Sequence, residues 1–189
     1  MRILKTFCRV VCELFSDVWL RLPDERDFDR LHREYSRLGF PGAIECIDIA
    51  SWYWDLCPMA WQGQCKGKDG SPNVRMEVIC DDFLRIYWVN FGAPGARNDL
   101  QIMNSSALFN RVRTGSWPPA RPDELDIDGF KLNWFYLLCD DIYPPRRYLI
   151  SSITAPRTNE EKLFARQQES ARKAVERVSG VLFKRFQIL

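Results

Sequence analysis

The chain has 189 residues and a mass of 22.2 kDa, enough for one domain or one domain with a small appendage. Its 46% hydrophobic, 13% aromatic and 28% charged residues match an ordinary globular protein and exclude a disordered chain, a collagen-like chain and a coiled-coil rod. The 27 Lys and Arg nearly balance 25 Asp and Glu, for a net charge of +2, which excludes a protein that coats DNA by bulk positive charge but leaves room for a local basic face.

Residues 1–20 carry Ile3, Leu4, Phe7, Val10, Val11, Leu14, Phe15, Val18 and Trp19 at helical spacing. Arg9 and Glu13 interrupt this stretch, so it reads as an amphipathic helix rather than a signal peptide. No apolar run reaches the roughly 18 residues of a membrane span, and no membrane association is expected. Pro23 stops the first helix, and Asp24 caps a second that runs to about Leu38, where Gly39 is a natural stop. Its stripe is Phe28, Leu31, Tyr35 and Leu38. Its acids at least equal its bases, which favours packing on a core over reading DNA.

From Ala43 to Ile49 the pattern turns strand-like, with Asp48 near the end of the run. Trp52, Tyr53 and Trp54 follow, then a loop over 57–70. Val74–Cys80 and Leu84–Phe91 read as two strands joined around Asp81-Asp82, and Gly92 to Gly95 as a break in the sheet. Asn98-Asp99 caps a helix expected to reach Val112. Residues 114–130, with Pro118, Pro119 and Pro122, read as a loop. An apolar run over 133–139 ends in Asp140-Asp141, and a short extended stretch covers 148–153. Thr158 and Glu161 form a capping box for a last, long helix. This order predicts an α/β fold: a mixed sheet with helices on its faces.

Seven cysteines without a C-x-x-C pair, beside the single histidine His32, give a zinc site no support. Reduced, mostly buried thiols of a cytosolic or nuclear protein are the expectation.

Two apolar strands end in or near acids, Asp48 and Asp140, and Glu176 lies on the last helix. A carboxylate on an apolar strand needs a compensating partner, and hard divalent cations prefer such oxygens. Two strand acids and one helix acid would suit a pair of ions in phosphoryl transfer. Spacing alone also fits strand-end acids that face solvent. At about 100° per residue Glu176 lies roughly 160° from the centre of its helix's apolar stripe, which by itself favours a solvated side chain.

Several blocks in order resemble the Harbinger-type plant transposon proteins, a branch of the DDE transposases. They are Gly39-Phe40-Pro41-Gly42 with Ile47-Asp48; Trp52 to Trp54 with Cys57-Pro58 and Ala60-Trp61-Gln62-Gly63-Gln64; and Phe91-Gly92 to Pro94-Gly95 with Asn98-Asp99 and Leu108-Phe109. Asn133, Tyr136 and Asp140 with Ile142-Tyr143-Pro144 follow, then Glu161 to Phe164, Val175-Glu176-Arg177, Gly180-Val181-Leu182 and Arg185-Phe186.

The resemblance implies an RNase H-like fold and a catalytic, metal-binding triad of Asp48, Asp140 and Glu176, with 35 residues between the last two. It implies two Mg²⁺ (or Mn²⁺) ions and cleavage or strand transfer on DNA, at transposon ends or target. A separate DNA-binding protein partner and a nuclear location go with that substrate. It divides the chain into an N-terminal helical segment, 1–39, and a DDE-type domain, 40–189, expected to be incomplete at its C-terminus and to have no DNA-binding domain before it. The sequence departs from the family where a histidine is usual, at Ile49-Ala50-Ser51-Trp52, and where glycines are usual, at Asp141 and Phe135. These departures keep open a catalytically inactive, domesticated or degenerate remnant acting as a DNA- or protein-interaction module. A carbohydrate hydrolase would also use paired acids but has no supporting motif.

Residues 157–189 hold eight bases and four acids, while 121–141 hold six acids and two bases. A basic helix along a phosphate backbone beside an acidic pocket fits this asymmetry, as does a solvated amphipathic helix. Lys66, Lys68, Arg97, Arg172, Lys173 and Arg177 are the candidate DNA contacts, with Arg75 a further phosphate candidate. Trp52, Trp54 and Trp61 either stack on unpaired bases or pack within the protein.

Overall fold

The computed structural model describes residues 2–186; Met1 and residues 187–189, which the sequence reading includes in its two segments, lie outside it. Helix α1 (Arg2–Trp19) precedes α2 (Glu25–Arg37), and Asp24 caps α2 by accepting from the backbone N–H groups of Arg26 and Asp27. Gly39 takes the left-handed conformation, φ +91°, that ends α2 sharply. The sheet then begins.

Strand β1 (Ala43–Tyr53) is longer than its apolar run predicts and includes Trp52 and Tyr53. A short helix, α3 (Met59–Cys65), occupies part of the expected loop. β2 (Asn73–Cys80) and β3 (Ile86–Pro94) follow as antiparallel neighbours. Gly92 does not break β3 as expected. The pairing steps from Met76–Phe91 to Arg75–Ala93, so Gly92 is accommodated as a bulge.

The helix expected over 98–112 is two, α4 (Asp99–Ser105) and α5 (Ala107–Thr114). Ser106 separates them, its hydroxyl capping α5 at Leu108 N while donating to Glu77 Oε2 at 2.8 Å. The Pro-rich stretch read as a loop forms β4 (Ala120–Ile127), hairpinned to β5 (Phe130–Trp134). The apolar run over 133–139 is divided between β5 and β6 (Tyr136–Leu138). β7 (Leu149–Ile150) and α6 (Asn159–Arg185) complete the chain, with Thr158 and Glu161 making the expected capping box.

The five-stranded sheet has the order β3-β2-β1-β6-β7. β2 runs antiparallel to both neighbours, while β1, β6 and β7 are parallel. This mixed sheet, flanked by helices and preceded by a helical pair, is RNase H-like. Alternation along the strands divides the core into two layers. Ile47, Ile49, Leu137 and Cys139 face α2, α4 and α5 with Phe28, Leu31 and Leu108. Cys46, Trp52, Val78 and Leu138 face α6 with Ala171, Ala174, Val175 and Val178. The hairpin closes over Gly42, where a Cβ would meet Leu132 at 2.5 Å.

Among the described residues, no helix is long and apolar enough to cross a membrane. All seven cysteines are free thiols; Cys8 and Cys12 are exposed and the other five buried.

Candidate functional site

The acids are brought together by strand register. β1 and β6 run parallel with Cys46 opposite Leu138. Two residues further along each chain come Asp48 and Asp140, on the face that Cys46 and Leu138 present to α6. Both are half-buried. α6 crosses above them, held by Cys46 Sγ donating to the Ala171 carbonyl at 3.5 Å.

The next residue of α6, Arg172, points inward, its side chain 15% exposed, and meets Glu176 Oε1 at 2.8 Å. Glu176 is 49% exposed, as its position on the helix predicts, yet its charge still reaches Asp48. The Asp48 carboxyl is held above its ordinary value by burial, while the Ile49 N–H and the Arg172 guanidinium oppose the rise and the charges of Asp140 and Glu176 add to it. Arg172 is therefore the counter-charge of the acids at this end of the sheet. Asp141 also belongs to them: its N–H donates to Asp140 Oδ1 at 2.7 Å, and its carboxyl is raised by hydrogen bonding and charge from Asp140.

A clamp fixes the end of β6. Gln168, one turn before Arg172 and wholly buried, donates to the carbonyls of Cys139 at 2.9 Å and Ile150 at 3.1 Å. Gln168, not Gln167, thus lies on the buried face of α6, and it sets the backbone immediately before Asp140. The only signal in the sequence is its spacing of three from Ala171 and seven from Val175.

The donor chemistry of Asp48, Asp140 and Glu176 suits a hard divalent cation, and a guanidinium already supplies positive charge there. Among the described residues, no three His, Cys, Asp or Glu side chains are gathered as a metal site in this conformation. The ion pair keeps Glu176 beside Arg172 instead.

The candidate DNA contacts fall into two groups. Lys66 and Lys68, in the loop between α3 and β2, and Arg97, in the turn between β3 and α4, are exposed. The turn after β3 is tied to the two ends of the first loop, Gly95 N donating to Asn73 O on β2 and Ala96 N to Gln64 O on α3, at 3.0 and 3.1 Å. Arg172, Lys173 and Arg177 lie on α6, where Lys173 and Arg177 border a groove of about 600 Å³ that Arg37 and Asp82 also line. Arg177 pairs with Asp82 Oδ1 at 3.1 Å. Arg75 is committed within the fold: it is buried and donates to Ser51, to the Ile49 carbonyl and to Asp99. Trp52 packs edge-on against Phe91 and Phe183, whereas Trp61 is exposed.

Sequence comparison adds one finding. The family of plant transposon proteins matches residues 17–189, from the end of α1 through α6. No curated protein and no solved structure matches the chain.

Proposed function

Because the chain belongs to the plant transposon protein family, we propose that it is a DDE-type endonuclease or strand-transferase core acting on DNA phosphodiesters. The observation that carries this reading is that Asp48 on β1 and Asp140, just past the end of the adjacent parallel strand β6, share the sheet face that α6 covers. In this reading Asp48, Asp140 and Glu176 would hold two Mg²⁺ or Mn²⁺ ions, hard cations suited to carboxylate oxygens. Bound there, the ions would activate water or a 3′-hydroxyl and stabilise the leaving oxygen.

The remaining work falls to the chain itself. Gln168 keeps Asp140 in place at the strand end. Lys173 and Arg177 lay the phosphate backbone along α6, while Lys66, Lys68 and Arg97 meet it at the far end of β1. Arg172 releases Glu176 and turns to a phosphate. DNA as substrate goes with a nuclear location, and a separate DNA-binding protein would supply target recognition.

A second reading is favoured by the Arg172–Glu176 ion pair and by Asp141 beside Asp140: an inactive module that keeps the fold and binds DNA or protein. Thermal unfolding and nicking assays separate the two. A nuclease core gains several degrees in Tm with Mn²⁺ or Mg²⁺, since a ligand at ~100 times its Kd adds about 2.7 kcal/mol. Asp140→Asn loses both that gain and DNA cleavage while keeping most DNA affinity. Cleavage at the wild-type rate by Asp140→Asn would refute the assignment, and a well-folded wild type without metal response or nicking would establish the inactive module.

A further inference from the structure

Helix α1 is 18 residues long and none of them is buried. Its apolar face is nevertheless broad: Ile3 is 86% exposed, Phe7 64%, Leu14 66%, Phe15 50%, Val18 57% and Trp19 63%. Large aromatic side chains bury about 150–250 Å² each, so Phe7, Phe15 and Trp19 alone leave roughly 300–400 Å² in water. Adding the four aliphatic side chains Ile3, Leu4, Leu14 and Val18 takes the face beyond the roughly 300–600 Å² of the largest patch on a typical monomer. The face also continues into the body. Trp19 and Leu20 form one wall of an apolar groove of about 690 Å³, with Trp52, Phe83, Phe91 and Leu182 among its other walls. Face and groove together approach the ~800 Å² that one partner gives to a standard interface.

The charges on α1 are divided along its length. Arg2, Lys5 and Arg9 lie in the first half, Glu13 and Asp17 in the second. A parallel pair of such helices would set basic half against basic half, whereas an antiparallel pair sets each basic half beside an acidic one. The Arg9–Glu13 pair within the helix, at 3.7 Å and well exposed, is worth too little to remove this preference.

From these observations we infer that the protein is a homodimer formed by antiparallel pairing of α1 with α1 of a second copy, the N-terminal end of each helix lying over the groove of the other. The arrangement is two-fold symmetric and buries the same patch on both copies. It uses the groove that the body supplies and does not depend on the nuclease reading.

The exposed thiols provide a test of orientation. At about 100° per residue, Cys8 and Cys12 lie on one flank of the apolar face. In an antiparallel pair each flank meets its own copy, so a register centred on Val10 sets Cys8 opposite the partner subunit's Cys12. Sedimentation of the full chain at tens of micromolar should give twice 22.2 kDa. Phe7→Glu/Leu14→Glu should give a monomer with unchanged near-UV circular dichroism, since neither side chain is part of the core. With a short bismaleimide, a mixture of Cys8→Ser and Cys12→Ser proteins should cross-link efficiently and either protein alone should not.

A monomeric wild type would overturn the proposal, as would a dimer that survives the double substitution. Efficient cross-linking of either single variant alone would overturn the antiparallel register. A monomer that co-sediments with phosphatidylserine vesicles would reassign α1 to a lipid surface.

Discussion

Arg172 is the residue on which the charge balance of the strand-end acids turns. It lowers the proton affinity of Asp48, opposes the charge near Asp141 and pairs with Glu176. Removing it leaves clustered carboxylates without a counter-ion, a situation that costs more than the lost pair itself. Arg172→Gln should therefore lower Tm in chelator, and Mn²⁺ should restore it, giving a larger metal-induced rise than in wild type. An equal or smaller rise would show that the guanidinium is not standing in for a cation.

Glu45 poses a separate electrostatic problem. It lies fully buried on β1 and neither carboxylate oxygen has a hydrogen-bond partner. Burial, reinforced by Asp81 and Asp27 and opposed by Arg30 and Arg85, holds its carboxyl well above the ordinary 4.5. Folding thus takes up a proton at this site once the pH exceeds 4.5. Its contribution to stability is complete below that pH and is lost as the pH rises towards the folded value, by at most about 1.4 kcal/mol per pH unit. Glu45→Gln should flatten the decline in stability on the alkaline side and make the protein more stable than wild type at pH 8. Parallel stability–pH curves for the two proteins would show that Glu45 does not carry that proton.

At the scale of elements, the site depends on how α6 is fastened to the sheet. Gln168 is the polar fastening, and the Cys139 carbonyl it bonds lies one residue before Asp140. Gln168→Leu would fill similar space but leave that buried carbonyl without its donor, a cost of about 1–3 kcal/mol. Chemical denaturation should show a lower midpoint with an unchanged slope. An unchanged midpoint would mean that water replaces the amide at no cost.

The elements that were legible in the sequence are those with one dominant signal. Asp24 and Thr158 announce α2 and α6 through caps, and the run from Ala43 announces β1. Elements whose signals conflict were not legible. Three prolines and several acids conceal the β4–β5 hairpin, whose register shift between Ala120 and Leu125 spans Pro122. Gly92 resembles a strand end because a bulge needs the same residue. Ser106 divides α4 from α5 because its hydroxyl is taken by Glu77 and Leu108, a tertiary choice with no local mark. The strand acids could be read from their place at the end of apolar runs. The inward turn of Arg172 could not: it is one of eight bases in 157–189, and only the packing of Ala171 on Cys46 selects it.

For the whole molecule, two surfaces have different standing. The body has a two-layer core built on both faces of the sheet, and the family match covers it while leaving out the first sixteen residues. α1 contributes no residue to that core and meets the body only near Val18 and Trp19, so most of its apolar face can stabilise the protein only through association. That makes thermal stability a function of concentration. If the native state is a dimer and the unfolded state is not, dilution shifts the balance towards unfolding by mass action. Tm should therefore rise measurably between about 1 and 100 µM in the full chain. A protein lacking residues 1–16 should unfold at a Tm independent of concentration, matching the full chain at its most dilute, because Arg85 still reaches the Val18 carbonyl and the Trp19 ring. A large Tm loss at every concentration would instead show that α1 stabilises the body directly, and would locate the cost at the link between Trp19 and the groove.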